Sequence, residues 1–174
     1  DMTYQVAKKA KVADVKQFIF LSSMSVYGID VGVINKNTPL KTNNAYGKSK
    51  LEAEGLIKKL EDESFNVAII RPPMVYGKGC KGNYPKLAKL ARKSLIFPDI
   101  DNKRSMLHVD KLCQSVKEYV DEKAKGLYFP QDDEYVNTSL MVKGLAEKNG
   151  KSIHLSKAAG WVIKLIGKRV NLIN

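Results

Sequence analysis

The sequence has few cysteines, few histidines and no long apolar run. Cys80 and Cys113 are its two cysteines. They lack metal-ligand spacing and suggest no disulfide framework, which points to a reducing compartment, the cytoplasm. The two histidines, His108 and His154, join no cluster of cysteines or carboxylates that would suggest a metal. No stretch of about 18 apolar residues occurs, which excludes a helical membrane span. The opening Asp1-Met2-Thr3-Tyr4 lacks the basic-then-apolar layout of a signal peptide. Internal repeats and low-complexity segments are missing as well. Acidic residues are outnumbered 18 to 30, giving a net charge of +12 and a pI near 9.6. The excess is mostly lysine, spread along helical stretches rather than gathered with aromatics. It reads as solvated surface with a bias toward anionic ligands such as nucleotides, and neither nucleic acid nor membrane is expected as a partner. What is there is ordinary: 174 residues, 44% hydrophobic and 28% charged, suffice for about one domain with a real core.

Residues 2–13 carry Val6, Ala7, Ala10 and Val12 among lysines and read as the end of an amphipathic helix entered without a cap, as if the chain began mid-domain. Residues 17–21 (Gln-Phe-Ile-Phe-Leu) are a short apolar run, the pattern of a parallel strand buried on both faces. Ser22 and Ser23 follow at its carboxyl end, where open α/β sheets bind ligands. A loop rich in asparagine leads to a helix from about Tyr46 to Asp62, capped by Asn43 or Asn44. Residues 65–70 make a second buried strand, ended by Pro72 and Pro73. Strand, helix, strand in this order implies a parallel sheet. Beyond Gly77 the pattern is mixed: helices over 85–92, 110–123 and 138–149, extended pieces at 95–98 and 126–130, and an amphipathic tail over 155–173 read as a helix packed on the preceding domain.

Tyr46 and Lys50 lie four residues apart at the start of the first long helix. At about 3.6 residues per turn they share a face, so the phenol and the ammonium address one point in space. A cation there favours phenolate over phenol, which is what a base requires.

Four segments together resemble the extended short-chain dehydrogenase/reductase superfamily, in its NAD-dependent nucleotide-sugar epimerase/dehydratase branch. They are residues 18–28 (Phe-Ile-Phe-Leu-Ser-Ser-Met-Ser-Val-Tyr-Gly), Tyr46-Gly47-Lys48-Ser49-Lys50 with Glu52 and Glu54, residues 71–77 (Arg-Pro-Pro-Met-Val-Tyr-Gly), and Arg104 through His108-Val109-Asp110. The resemblance implies an α/β fold: residues 1–77 as the second half of a Rossmann-like domain, and 78–174 as mainly a substrate-binding region of mixed α/β structure, part of which returns to the sheet. It implies catalytic roles for Ser23, Tyr46 and Lys50, cofactor contacts from Ser22, Tyr46, Lys50 and Pro73, and substrate contacts from Ser23, Asn83, Phe97 and Arg104. His108 is implied to be structural. NAD rather than NADP is the implied cofactor, a nucleotide sugar the substrate, and a homodimer of the full-length protein the assembly.

Two departures from the family pattern narrow the reading. Relatives that eliminate water carry an Asp-Glu pair directly after the catalytic Ser or Thr, but here Met24 and Ser25 stand there, so dehydration is disfavoured. No G-x-x-G-x-x-G occurs, so the dinucleotide cradle is not among these residues and the chain reads as a fragment, inactive by itself. The expected activity is NAD-dependent 4-epimerisation of a UDP-hexose or UDP-N-acetylhexosamine. The alternatives are a nucleotide-sugar 4-ketoreductase or dehydrogenase, or a non-catalytic nucleotide-binding member.

Overall fold

Short apolar runs alternate with amphipathic stretches, and the computed structural model turns them into two units. It describes residues 1–29, 31–35, 37–81 and 83–161. One unit comprises residues 1–73 and 110–131, and the other residues 74–109 and 132–174.

The first unit is built on a three-stranded parallel sheet, in the order β1 (Gln17–Leu21), β2 (Asn66–Ile70), β6 (Gly126–Tyr128). Phe18 is paired with Val67 and Phe20 with Ile69, so the apolar runs align. Helices α1 (Met2–Val12) and α2 (Ala45–Lys58) contribute Ala7, Ala53 and Ile57 to a core with Phe20, Phe65, Val67 and Ile69. Ile57 and Phe65 are fully buried. Truncating either to alanine would cost about 2–5 kcal/mol. The first helix does have a cap: the Asp1 carboxylate accepts the Tyr4 N–H at 3.2 Å, which corrects the expected uncapped entry. Helix α4 (Val109–Asp121) ends where the Gln17 amide donates to the carbonyls of Tyr119 and Ala124, at 2.8 and 2.9 Å. The Tyr119 carbonyl also accepts the Ala124 N–H at 2.9 Å, which closes the end of the helix.

In the second unit the chain leaves Pro72 and Pro73 for β3 (Met74–Tyr76), paired in parallel with β5 (Met106–His108). Helix α3 (Asn83–Lys93) and α5 (Thr138–Glu147) share a core of Ala91, Phe97, Val142, Ala146 and Ile153. Strand β4 (Ile96–Pro98) pairs with β7 (His154–Ser156). That pairing overturns the helix expected from residue 155: the open ladder of β4 takes up residues 154–156, and helix begins only at 157. From residue 162 the expected tail helix lies outside the described residues. Ser139, wholly buried, donates to the Pro98 carbonyl at 2.8 Å and accepts the Ile100 N–H at 2.9 Å, which ties the start of α5 to the end of β4.

Candidate active site

At the carboxyl end of β1 the ladder continues for two residues before the chain turns. The Ser22 N–H donates to the Ile70 carbonyl at 2.7 Å, and the Met24 N–H to the Pro72 carbonyl at 3.2 Å. Residues 71–73 therefore run beside residues 22–24, with Pro72 buried and Pro73 partly exposed. Ser23 caps a short 3₁₀ turn, Met24–Tyr27: its hydroxyl accepts the Ser25 N–H at 3.1 Å and lies 3.0 Å from the Ser25 hydroxyl. Gly28 ends the turn at φ +59, and a Cβ there would stand 1.9 Å from the Lys41 carbonyl oxygen, so only glycine fits.

Helix α2 is brought onto this turn by its own sequence. The Asn44 side chain accepts the Gly47 N–H at 2.7 Å and caps the helix. Gly47 is buried against the turn, where an added Cβ would meet the Ser25 carbonyl oxygen at 2.4 Å. One turn on, the Lys50 ammonium donates to the Leu21 carbonyl at 2.8 Å and lies 4.7 Å from the centre of the Phe20 ring and 5.7 Å from that of Tyr46. Burial pushes the Lys50 pKa down, opposed by the charge of Glu54. The Tyr46 ring is 54% exposed, open to a ligand while its neighbour is held. Ser23, Tyr46 and Lys50 thus belong to one local structure: a strand end, the turn it leads into and the first turns of the helix packed on that turn.

Ser22 has another partner than the cofactor expected for it. It is 4% exposed, and its hydroxyl donates to the Glu54 carboxylate, so its side chain is committed inward. Glu54 in turn receives Arg71 through two donors, Nε at 3.0 Å and the other guanidinium nitrogen at 2.5 Å, while Arg71 also donates to the Tyr27 hydroxyl at 2.8 Å. Burial works against the Arg71 charge, but the hydrogen bonds and charge of Glu54 outweigh it and raise its pKa. Sequence reasoning named Glu54 and Arg71 in motifs and gave them no role. The available signal was a carboxylate four residues after Lys50, beside Ala53 and Ile57 on the inward side of the helix.

Apart from Ser23, the expected substrate residues lie in the second unit. Arg104 pairs by backbone with Val136, at 3.0 and 2.9 Å, and its guanidinium has no hydrogen bond or ion pair among the described residues. Asn83 opens α3. Phe97 is 8% exposed and packs in the core formed with Ala91 and Val142. His108 ends β5 at the junction with α4. Its N–H donates to Asp132 at 3.2 Å, and its ring meets the Tyr76 ring edge-on at 5.1 Å. Among the described residues no group of His, Cys, Asp and Glu could hold a metal, and no helix is long and apolar enough to cross a membrane.

The model of the NAD dependent epimerase/dehydratase family matches residues 1–128. The chain is 36% identical to a UDP-glucose 4-epimerase of Vibrio cholerae over 178 residues, 95% of this chain and 53% of that protein. It is 29% identical over 158 residues to the N-acetyl-alpha-D-glucosaminyl-diphospho-ditrans,octacis-undecaprenol 4-epimerase of Escherichia coli O157:H7, 85% of this chain and 48% of that one. Among solved structures, UDP-glucuronic acid 4-epimerase from Bacillus cereus in complex with NAD superposes with a TM-score of 0.73 at 21% identity, over 88% of this chain and 53% of that one. The chain spans about half the length of the curated relatives it matches. With the family model covering nearly three quarters of its length, the chain belongs to the NAD dependent epimerase/dehydratase family.

Proposed function

We propose that this chain is the catalytic half of a 4-epimerase acting on a hexose or N-acetylhexosamine carried on a diphosphate, with UDP as the first carrier to test. The observation that carries the reading is Lys50: an ammonium fixed on the last carbonyl of β1, one helical turn from an exposed Tyr46 and beside the turn capped by Ser23. Tyr46 removes the proton from the sugar hydroxyl, Lys50 favours the phenolate that does so, and Ser23 orients the hydroxyl oxygen. The same residues suit the nicotinamide end of NAD: Lys50 and Tyr46 would donate to its ribose, and Pro73, which has no N–H, would be a backbone neighbour. When bound, NAD supplies the two-electron oxidation and its reversal at the sugar carbon. Its pyrophosphate cradle must come from chain outside these 174 residues, since no G-x-x-G-x-x-G occurs in them. Among the described residues no strand covers the outer edge of β1, which leaves a place for further parallel strands. Arg104, with no partner among the described residues, is the candidate for the substrate diphosphate, which both named relatives' substrates contain or imply. The full-length protein is proposed to work in the cytoplasm and to pair through α1 and α2.

The test is conversion of UDP-N-acetylglucosamine, UDP-glucose and N-acetylglucosaminyl-diphospho-undecaprenol by the full-length protein, with net NADH followed in parallel. Interconversion with the galacto form and no net NADH supports the epimerase. Net NADH change instead identifies a ketoreductase or dehydrogenase using the same three residues. In Tyr46→Phe the rate falls about 10²–10⁴-fold. A rate equal to the parent's would remove Tyr46 from the chemistry.

A further inference from the structure

Behind the three proposed catalytic residues, at a depth no substrate would reach, lies the ion pair of Glu54 and Arg71, both 5% exposed. A buried ion pair is weak evidence for stability, because desolvating two charges costs about as much as their attraction returns. Its other bonds are more informative. Glu54 lies on the same helix face as Tyr46 and Lys50, four residues after Lys50, and holds the Ser22 hydroxyl. Arg71 holds the Tyr27 hydroxyl at 2.8 Å and places its guanidinium 5.1 Å from the Tyr27 ring centre. Ser22 and Tyr27 are the two ends of the segment that carries Ser23. No buried polar side-chain atom among the described residues is left without a partner, so this network is closed.

We infer that the buried Glu54 and Arg71 pair is a positioning device, which pins both ends of residues 22–27 to α2 and so sets Ser23 in register with Tyr46 and Lys50. The inference rests on the catalytic reading above and deepens it. Other restraints on the segment, the ladder bonds of Ser22 and Met24 to Ile70 and Pro72, the close approach of Gly47 to Ser25 and the bond from Lys50 to Leu21, grip backbone. Among the described residues, the side-chain hydrogen bonds of Ser22 and Tyr27 both go to the pair.

The test uses the full-length protein and reads kcat, KM and melting temperature separately. Ser22→Ala and Tyr27→Phe each remove one pin and leave the ion pair in place; each is expected to lower kcat by about three- to tenfold with KM little changed. The double variant Glu54→Leu with Arg71→Met replaces the pair by apolar groups of similar size, an exchange that buried ion pairs often tolerate. It is expected to stay folded and to lose about a hundredfold in kcat. A folded double variant with kcat within about twofold of the parent would show the pair to be packing alone and overturn the inference. Should the double variant not fold, the single variants decide: parent-level kcat in both overturns it, reduced kcat in both sustains it.

Glu54→Gln supplies a readout that a packing role would not move. The groups facing Lys50 are Tyr46 and Glu54 from α2, and the Phe20 ring and Leu21 carbonyl from β1, with Arg71 behind Glu54. Without the Glu54 charge the Lys50 ammonium loses protons at lower pH, and the alkaline fall of kcat/KM is expected to move to lower pH. An unmoved alkaline limb counts against the inference. A parent without turnover, or a Tyr46→Phe variant as active as the parent, overturns the catalytic reading and the inference with it. An active parent that Tyr46→Phe silences but these variants leave unchanged overturns the inference alone.

Discussion

Lys50 shows how one residue can be tuned by place. Burial against Phe20 lowers its pKa, while Glu54 one turn on raises it, so the ammonium is kept but less firmly than on an open surface. Lys50→Met removes the ammonium that lies beside the Tyr46 ring, and kcat of the full-length protein is expected to fall about 10²-fold at neutral pH, as measured by initial rates. Tyr76 offers a second titration, this one read in stability. Burial and its 2.8 Å bond to Asp132 push its pKa up to about 12. A folded-state pKa raised above the ordinary value of about 10 means that the unfolded chain loses this proton first. The contribution of Tyr76 is fully present below about pH 10 and is lost as pH rises toward about 12. Tyr76→Phe is expected to cost about 1 kcal/mol at neutral pH, and the gap to the parent should shrink across that window in melts against pH.

At the scale of elements, the site depends on how closely α2 approaches the turn before it. A glycine inside a helix ordinarily costs about 1 kcal/mol relative to alanine, so Gly47→Ala would stabilise an isolated α2. Here the added Cβ would meet the Ser25 carbonyl oxygen at 2.4 Å, and backbone must move. The expected sign is reversed: a loss of about 1–3 kcal/mol in denaturant melts of the full-length protein, with a fall in kcat as Tyr46 shifts from Ser23.

The elements themselves were largely legible in the sequence, because each rests on a local signal: the apolar runs at 17–21 and 65–70, the caps before α2, and the prolines after β2. The missed elements took their form from distant partners. Residues 154–156 form a strand because β4 offers a ladder, and Phe97 packs in a core because α3 and α5 close over it. Helix α3 ends just before Phe97, but β4 and α5 are each far in sequence from the residues they hold. The same holds within the site: Tyr46 and Lys50 announce themselves by helical spacing, while the Ser22 bond to Glu54 spans 32 residues and shows no pattern along the chain.

At the scale of the whole molecule, the two units carry different parts of the proposed chemistry. The proton-handling residues Ser23, Tyr46 and Lys50 sit in the unit with the three-stranded sheet, and Arg104 sits in the other. Arg104→Met is therefore expected to raise KM for a UDP-sugar by about tenfold or more while leaving kcat within a few fold, because it removes ground-state contacts to a diphosphate rather than a group at the reacting carbon. The central claim is that the sugar is oxidised and restored at C4 in one binding event, with Tyr46 and Lys50 moving the hydroxyl proton. The most direct measurement gives the full-length protein UDP-N-acetylglucosamine deuterated at C4 and locates the label in the product by NMR. The account predicts a galacto product that keeps its deuterium at C4. A product that has gained solvent hydrogen at C4, or one left as a keto sugar with net reduction of NAD, would contradict it.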